Sequence, residues 1–429
     1  MEEKETSDGA GPHVKEMMER MSATLTATAP LPVKTTTAPR RVLSIDLLRG
    51  LTIALMILVN DPGDWARVFR PLDHAEWNGW TITDMVFPTF LFLVGAAMVY
   101  SLSARAARGN CRKSLAGHLF VRTGKLLLLA FVLDYFPRMH WTTLRFFGVI
   151  PRIAIVSLLA GLVLVATMQM RRQAWVVGGI VAVLLVGYWV LLRWVPVPGL
   201  GMPGRDIPFM GEWQNLAAWV DRGVVGWTQH WLHTGALYRK NSDPEGVLST
   251  LPAVATTLLG ALTGMWLRAT RHDRSEISTA TANVWMAAAG AAAVLLGELW
   301  SVWFPINKNL WTSSYVLVMA GWAVVLLALL SSLVDERRKP WPRWLNAATW
   351  PWFVFGSNAI AAYTTSVVLV KSALYFHIGR STVWAWVYFH LFAPHHSDKL
   401  TSLAFAIAFV VVCFLPNWWL WHKKIFWKM

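Results

Sequence analysis

The sequence predicts an all-α fold: a polytopic bundle of about ten membrane-spanning helices with both termini in the cytoplasm. Hydrophobic residues make up 55% of the 429 residues and charged residues only 15%. Apolar runs of roughly 18 or more residues recur from Leu43 to the C-terminal tail, and each can cross a hydrocarbon core of about 30 Å as a helix. The 27 tryptophans suit the lipid headgroup boundary, which accommodates both an apolar ring and an N–H donor.

Residues 1–40 are predicted to form a disordered cytoplasmic tail, because they are polar and lack the apolar core of a signal peptide. The apolar segments that follow are each predicted to span the membrane. They are about Val42–Asn60, Asp84–Ser103, Lys125–Tyr135, Val149–Met168, Ala174–Trp194, Val247–Leu267, Thr281–Trp303, Trp311–Val334, Trp350–Val370 and Thr401–Trp421. The aromatic segment 381–392 is predicted to lie at the outer face or to re-enter the membrane rather than to span it.

The net charge of +15 comes from basic residues that cluster in alternate loops. Positively charged loops remain in the cytoplasm, so this alternation sets the orientation. It places the loops Asp61–Thr83 and Val195–Gly246 outside. Because the basic residues are not gathered on one polar face with interleaved aromatics, we expect no nucleic-acid partner.

The loop Val195–Gly246 is the longest between predicted spans and is expected to be structureless. A structureless stretch of this length is more often functional than idle. Its tryptophans fit two interpretations, platforms for sugar rings or anchors at the membrane interface, and both remain open.

The segment from Asn60 to Asp84 concentrates polar side chains at the outer end of the first two spans. His74 is the candidate for proton transfer, because an imidazole titrates near neutral pH. The Asn60 amide is either an oxyanion donor or a helix-end group at the interface. Asp84 and Glu298 are carboxylates in or beside apolar spans, which makes them functional hypotheses by default.

Other motifs narrow the chemistry. Asp46 and Arg49 are three positions apart and can face each other on one helix. We interpret them first as a structural ion pair and second as a contact for phosphate. Neither of the histidine pairs His230/His233 and His395/His396 has the cysteine or carboxylate neighbours of a metal site, so we expect no metal. The sequence also lacks a Walker A motif and a nucleophile elbow, which disfavours ATP-driven transport and serine hydrolysis.

Four sequence blocks resemble one known family. They are Ser44-Ile-Asp-Leu-Leu-Arg-Gly50 running on to Val59-Asn60, His74-Ala-Glu-Trp-Asn-Gly79 with Asp84-Met-Val-Phe-Pro88, Asp243-Pro-Glu-Gly-Val-Leu-Ser-Thr-Leu-Pro252, and Pro305-Ile-Asn-Lys-Asn-Leu-Trp-Thr-Ser-Ser314. In these blocks the chain is similar to the heparan-alpha-glucosaminide N-acetyltransferases, from about Arg41 to its end. The family often has Gln where this chain has Pro151.

The resemblance implies a transmembrane acyltransferase domain over residues 41–429. It implies acetyl-CoA as the donor, entering from the cytoplasm, and the amine of a hexosamine as the acceptor on the outer side. It also implies a homodimer in a bacterial inner membrane. The resemblance implies His74 and Asn60 as the catalytic residues. Beyond the resemblance, we expect substrate contacts from Asp84, Glu245, Asn307, Lys308, Trp77 and Asn78, and donor contacts from Arg49 and Arg152.

Two alternatives stay open. A permease for amino sugars or cell-wall fragments would also explain the spans and the tryptophans, although no inverted repeat is visible and the polar motifs lie at span ends rather than at the midplane. A lipid-linked glycosyltransferase would use paired outer-loop acids, for which Asp73 and Glu76 are the candidates.

Overall fold

The structure is a computed structural model that describes residues 42–271, 277–336 and 341–427. The predicted tail at residues 1–40 lies outside the described residues. The helices are α1 Leu43–Asn60, α2 Ile82–Ala107, α3 Arg112–Tyr135, α4 Val149–Thr167, α5 Gln173–Trp194, α6 Leu216–Leu232, α7 Thr250–Thr270, α8 Thr279–Trp300, α9 Ser313–Val334, α10 Arg343–Ser357, α11 Ala359–Tyr375, α12 Val383–Val387 and α13 Lys399–His422.

Short elements complete the described chain. Arg70–Leu72 and Trp141–Thr143 form 3-10 turns, and a π-helix at Tyr388–Phe392 follows α12. The strands β1 (His377–Ile378) and β2 (Ser381–Thr382) pair as an antiparallel hairpin. The segment 381–392 therefore contains only short elements, as expected of a segment that does not span.

The all-α polytopic class is confirmed. In the described ranges, nine helices are long and apolar enough to cross a membrane, and α10 with α11 makes a tenth if that bent pair is counted as one span. The predicted continuous span Trp350–Val370 is wrong, because the chain bends by 81° between α10 and α11. Asn358 holds the bend: its Nδ2 donates to the Ile425 carbonyl, and its Oδ1 accepts from the Trp427 N–H, both at 2.9 Å.

The spanning helices divide into an inner and an outer group. Each spanning helix contains an apolar stretch of 18 residues. The buried share of that stretch is between 56% and 72% in α1, α2, α4, α7 and α9, but only 22% to 33% in α3, α5, α8 and α13. The outer helices expose apolar side chains such as Leu128 and Val183, as expected of a surface solvated by lipid.

Glycines let neighbouring helices of the bundle approach closely. A Cβ on Gly50 of α1 would lie 1.7 Å from the Trp352 carbonyl oxygen of α10, and one on Gly260 of α7 would lie 1.8 Å from the Phe92 carbonyl oxygen of α2. Without side chains at these positions the backbones touch, which is how membrane helices gain packing where lipid supplies no hydrophobic drive.

The bundle has two chemically different ends. At one end, Asp335 accepts from the Leu43 N–H at the start of α1 (3.0 Å) and pairs at 2.9 Å with Arg271, which directly follows α7. At the other end, which we call the site end, α1 finishes and α2 begins. The basic residues at the C-terminal ends of α2 and α7 lie at the end of the bundle opposite the site end, as the charge alternation requires. Which of the two ends faces the cytoplasm stays a prediction.

The loop Val195–Gly246 contains regular structure, so the expectation of a structureless loop is wrong. Its early prolines end at Pro208, which leaves the following stretch free to form α6. The Asn215 side chain caps this helix by accepting from the Ala218 N–H at 2.8 Å.

Candidate active site

Two loops meet at the site end, one between α1 and α2 and the other between α8 and α9. The Gly79 N–H donates to the Ile306 carbonyl at 2.8 Å, and the Asn307 amide donates to Asn78 Oδ1 at 3.1 Å. Asn307 is fully buried, and its own oxygen accepts from the Leu310 N–H at 2.9 Å. These bonds hold the His74 loop against the Lys308 loop.

His74 and Asp84 form the centre of this region. The imidazole is 46% exposed, whereas the Asp84 side chain is completely buried. Nδ1 of His74 lies 2.8 Å from Oδ1 of Asp84. Because a carboxylate can only accept, Nδ1 carries the proton, and Nε2 keeps a lone pair that can take a proton from a substrate.

The Asp84 carboxylate is held rigidly by the start of α2. Its Oδ2 accepts from the Ala75 N–H and the Thr81 N–H, both at 3.0 Å. Thr81 and Asp84 together form a capping box at the start of α2. The Tyr315 hydroxyl donates to the Asp84 carbonyl at 2.6 Å and ties this turn to α9.

Lys308 places an ammonium group against the same pair. Its Nζ lies 2.9 Å from Nδ1 and 3.2 Å from Nε2 of His74, and 3.3 Å from Oδ1 of Asp84. The side chain is 20% exposed. Burial lowers the pKa of Lys308, and the carboxylates of Asp84 and Glu245 offset part of this effect. With Nδ1 protonated, this ammonium group donates to the Nε2 lone pair, and it can stabilise negative charge beside the histidine once a substrate takes its place at Nε2.

A buried arginine, Arg152, also lies at the site end of the bundle. Arg152, at the first turn of α4, is 2% exposed, stacks on the Trp311 ring at 5.1 Å and donates to the Gly246 carbonyl at 3.0 Å. Its Nε and Nη1 have no hydrogen-bond partner among the described residues. Two unpartnered guanidinium donors in the interior suit an oxygen-rich ligand.

Glu245 is part of an ion-pair network around Arg145. Arg145 Nε donates to Asp243 Oδ2 at 2.7 Å, and its Nη2 donates to Glu245 Oε2 at 2.5 Å. The Asp243 side chain is fully buried, and the Glu245 side chain is 13% exposed. These carboxylates raise the pKa of Arg145 above its usual range, although burial works against them. Any contact between Glu245 and a substrate would therefore be shared with Arg145.

The other predicted residues lie apart from the His74–Asp84 pair. Asn60 is exposed at the end of α1, and its carbonyl accepts from Trp65 Nε1 at 3.3 Å; in the part of the chain that the structure describes, its amide makes no hydrogen bond to His74. The indole N–H of Trp77 donates to the Met210 carbonyl at 2.8 Å, and Arg239 lies over the Trp77 ring at 5.8 Å.

The two predicted donor contacts lie at different depths. Arg49 donates from Nε to the Gly356 carbonyl at 2.7 Å and pairs with Asp46 at 2.5 Å. It precedes Asn60 by eleven positions, or roughly 16 Å along α1. Arg152 instead lies at the site end, so a donor contacting both would have to be elongated. Glu298, the other carboxylate considered, accepts from Trp80 Nε1 at 3.3 Å.

Sequence reasoning missed Asp84 as the partner of His74 and missed Arg145 altogether. A signal existed for Asp84, because Thr81-Ile-Thr-Asp84 has the spacing of a capping box before an apolar run. For Arg145, nothing in its neighbourhood pointed to the acids about a hundred positions later, with which it pairs only after folding.

These features define a multi-pass membrane protein with a histidine, its carboxylate partner and an ammonium group gathered at one end of the bundle. Residues 41–296 match the family described as heparan-alpha-glucosaminide N-acetyltransferase, catalytic. The chain therefore belongs to this family of acetyltransferases. The matched range includes His74 and Asp84, whereas Lys308 lies beyond it.

Two relatives carry the same description. The chain is 27% identical over 427 residues to heparan-alpha-glucosaminide N-acetyltransferase of Homo sapiens and 25% identical over 424 residues to that of Mus musculus. Each alignment covers 91% of this chain and 60% of the relative. The chain thus spans about three fifths of the length of these relatives.

Proposed function

We propose that this protein transfers the acetyl group of acetyl-CoA to the amine of a hexosamine across the membrane in which it lies. The observation that carries the proposal is the contact between His74, Asp84 and Lys308. A histidine whose Nδ1 is committed to a buried carboxylate presents a basic Nε2, which amine acylation needs and passive passage of a sugar does not.

In the proposed mechanism, His74 Nε2 takes a proton from the amine as its nitrogen attacks the acetyl carbon. Asp84 is a positioning residue: it holds the ring and its tautomer and does not touch the substrate. The protonated histidine then returns the proton to the sulfur of the departing CoA thiolate. An alternative mechanism, in which His74 is itself acetylated before the amine attacks, uses the same geometry.

The carbonyl oxygen becomes negative during the attack and needs donors. Lys308 is a second candidate for this role beside Asn60, because its Nζ lies 3.2 Å from the reacting Nε2. Asn60 remains a proposed donor from the family resemblance. For the donor substrate, the unpartnered Nε and Nη1 of Arg152 are available to oxygens of CoA, and Arg49 lies deeper along α1.

The proposed sidedness follows from the two ends of the bundle. The His74 loop lies opposite the basic helix ends, which by the positive-inside rule face the cytoplasm. Acetyl-CoA would enter from the cytoplasm and the amino sugar from outside. Trp77 and Asn78 border the site loops and are the proposed sugar contacts, whereas the fully buried Asn307, a predicted substrate contact, supports Asn78 through its amide. A homodimer and a bacterial inner-membrane location are proposals from the resemblance.

The test compares wild type with His74→Ala by measuring CoA thiol release from acetyl-CoA in the presence of glucosamine. His230→Ala, which alters an exposed histidine of α6, is the matched control. We expect release to fall to background only in His74→Ala; unchanged release in that variant would contradict the mechanism. Uptake of unmodified glucosamine into proteoliposomes, without acetylation, would favour the permease instead.

A second experiment addresses sidedness. Proteoliposomes are loaded with acetyl-CoA and labelled glucosamine is added outside, or the two substrates are exchanged. Transfer in only one arrangement, in vesicles of known protein orientation, is the expected result. Transfer only when both substrates share a compartment would contradict movement of the acetyl group across the membrane.

A further inference from the structure

The three tryptophans of α6 have no role in the proposed acetyl transfer, and all of them are exposed. Trp219, Trp227 and Trp231 are 40%, 59% and 64% exposed. They follow one another after eight and four positions, a spacing that keeps side chains on one face of an α-helix. A group of exposed aromatic side chains on one face indicates an interaction surface.

The opposite face of α6 is fixed to the bundle. Asp221, the only acid of this helix, is 1% exposed, and its Oδ1 accepts from the Val247 N–H at 2.8 Å. Val225 and Thr228 lie on the same side and are buried as well. The helix therefore turns its acid inward and its tryptophans outward, which is the reverse of the pattern on a helix that faces water.

Both ends of α6 contact spanning helices at the site end of the bundle. The Leu232 carbonyl accepts from Trp141 Nε1 at 2.9 Å, and the Trp141 ring packs against Phe131 of α3, with 6.2 Å between the centroids. Near the start of α6, Ala217 packs in a hydrophobic cluster with Leu192 of α5. Because α6 has 17 residues and is roughly 25 Å long, it runs across the end of the bundle from α5 to α3.

The exposed face of α6 is continuous with the lipid-facing surface of the bundle. Only 22% of the apolar stretch of α3 and 28% of that of α5 are buried, so both helices face lipid along much of their length. Phe131 and Trp141, which connect α3 to α6, are also exposed. Apolar surface thus extends from the side of α3 to the tryptophans near the end of α6.

The chemistry of this face fits the boundary between lipid headgroups and acyl chains better than it fits a sugar. A sugar site needs a concave surface with converging polar groups, whereas a single exposed helix is convex and the exposed positions of α6 carry no acid. The indole N–H groups of its tryptophans donate to no residue that the structure describes, so they are available to ester and phosphate oxygens of lipids. Indoles concentrate at this boundary because they combine an apolar ring with one donor.

We propose that α6 binds the bilayer surface at the site end, lying in the plane of the membrane with Trp219, Trp227 and Trp231 inserted at the headgroup boundary. This interaction does not depend on the proposed acetyl transfer. Through Asp221 it sets the position of Val247 relative to the membrane, and the preceding Gly246 accepts from Arg152 at 3.0 Å. The helix therefore connects the lipid surface to the segment that contacts Arg152.

Spin labels on the full-length protein in phospholipid nanodiscs test this proposal. Gly223→Cys and Gly226→Cys place the label between Trp219 and Trp227, at positions where a Cβ meets no atom within 4 Å, and they keep all three tryptophans. Each variant also carries Cys111→Ser, which removes the exposed native thiol.

Two matched variants provide the reference values. Lys240→Cys labels an exposed loop and reports water, and Val183→Cys labels an exposed position of α5 and reports lipid. The measured quantity is the collision rate with oxygen, which concentrates in lipid, divided by the rate with a water-soluble nickel chelate. We expect this ratio at both α6 positions to exceed that of Lys240→Cys by about fivefold or more and to stay below that of Val183→Cys.

Two outcomes would overturn the proposal. A ratio equal to that of Lys240→Cys would show that the face is in water, as a sugar platform would be. Protection of the labels from both reagents would show that protein, such as a second copy of the chain, covers the face instead of lipid.

Replacing Trp219, Trp227 and Trp231 together with serine gives a second measurement. The bond from Asp221 to Val247 remains in this variant and keeps α6 on the bundle. We expect the collision ratio of the label at position 223 to fall by about threefold or more, toward the value of Lys240→Cys. An unchanged ratio would show that the indoles do not hold the helix in the lipid surface, which would also overturn the proposal.

Discussion

Asp84→Asn is the most informative substitution, because it keeps the shape of the side chain and changes only its hydrogen bonding. One carboxylate oxygen of Asp84 accepts from His74 Nδ1 at 2.8 Å, and the other from the N–H groups of Ala75 and Thr81 at 3.0 Å. An amide has only one acceptor oxygen. It should stay with the two backbone donors, which leaves the NH2 group facing His74.

That arrangement reverses the tautomer of His74. Nδ1 must now accept a hydrogen bond, so the ring proton moves to Nε2 and the lone pair needed for proton transfer is lost. In serine protease triads the equivalent change lowers kcat about 10⁴-fold. Lys308 also loses the charge that lies 3.3 Å from its Nζ.

We therefore expect Asp84→Asn to lower kcat by about 10³ to 10⁴-fold, which corresponds to about 4 to 5.5 kcal/mol of activation free energy. KM for glucosamine should change little, because the enclosed Asp84 side chain does not contact the acceptor in our mechanism. The assay is steady-state CoA thiol release at saturating acetyl-CoA, with Glu76→Gln as the control, since Glu76 is an exposed acid on the same loop. Retention of more than about a tenth of wild-type kcat would refute the assigned orienting role.

Two further predictions concern charge and packing. Burial lowers the pKa of Lys308, so its positive charge is complete below that lowered pKa and is lost as pH rises through it. The pH profile of kcat should accordingly fall on its alkaline side in wild type and lack this fall in Lys308→Met; identical profiles would contradict a role for the charge. Gly50→Ala places a Cβ 1.7 Å from the Trp352 carbonyl oxygen, so we expect the free energy of unfolding to fall by about 1–3 kcal/mol. This loss should appear as a lower thermal unfolding midpoint. Gly178→Ala, where a Cβ meets no atom within 4 Å, should leave the midpoint unchanged.

The candidate catalytic segment could be proposed from the sequence because polar residues concentrate between two apolar runs, but the partners of those residues could not. His74 and Lys308 are 234 positions apart and meet only because the loops after α1 and α8 reach the same end of the bundle. The sequence predicts a substrate contact at Asp84, because a carboxylate beside an apolar span is a functional hypothesis by default. Its complete enclosure by the His74 loop and the start of α2 points instead to orientation of the histidine.

The sequence by itself determined the all-α membrane class, since span length, hydropathy and loop charge are local properties that act on each segment separately. The tertiary structure alone decided that the chain bends at Asn358 and which acids are paired, such as Asp84 with His74. Burial and pairing depend on which helices pack together, and that choice rests on contacts between residues distant in sequence, such as Gly50 with Trp352.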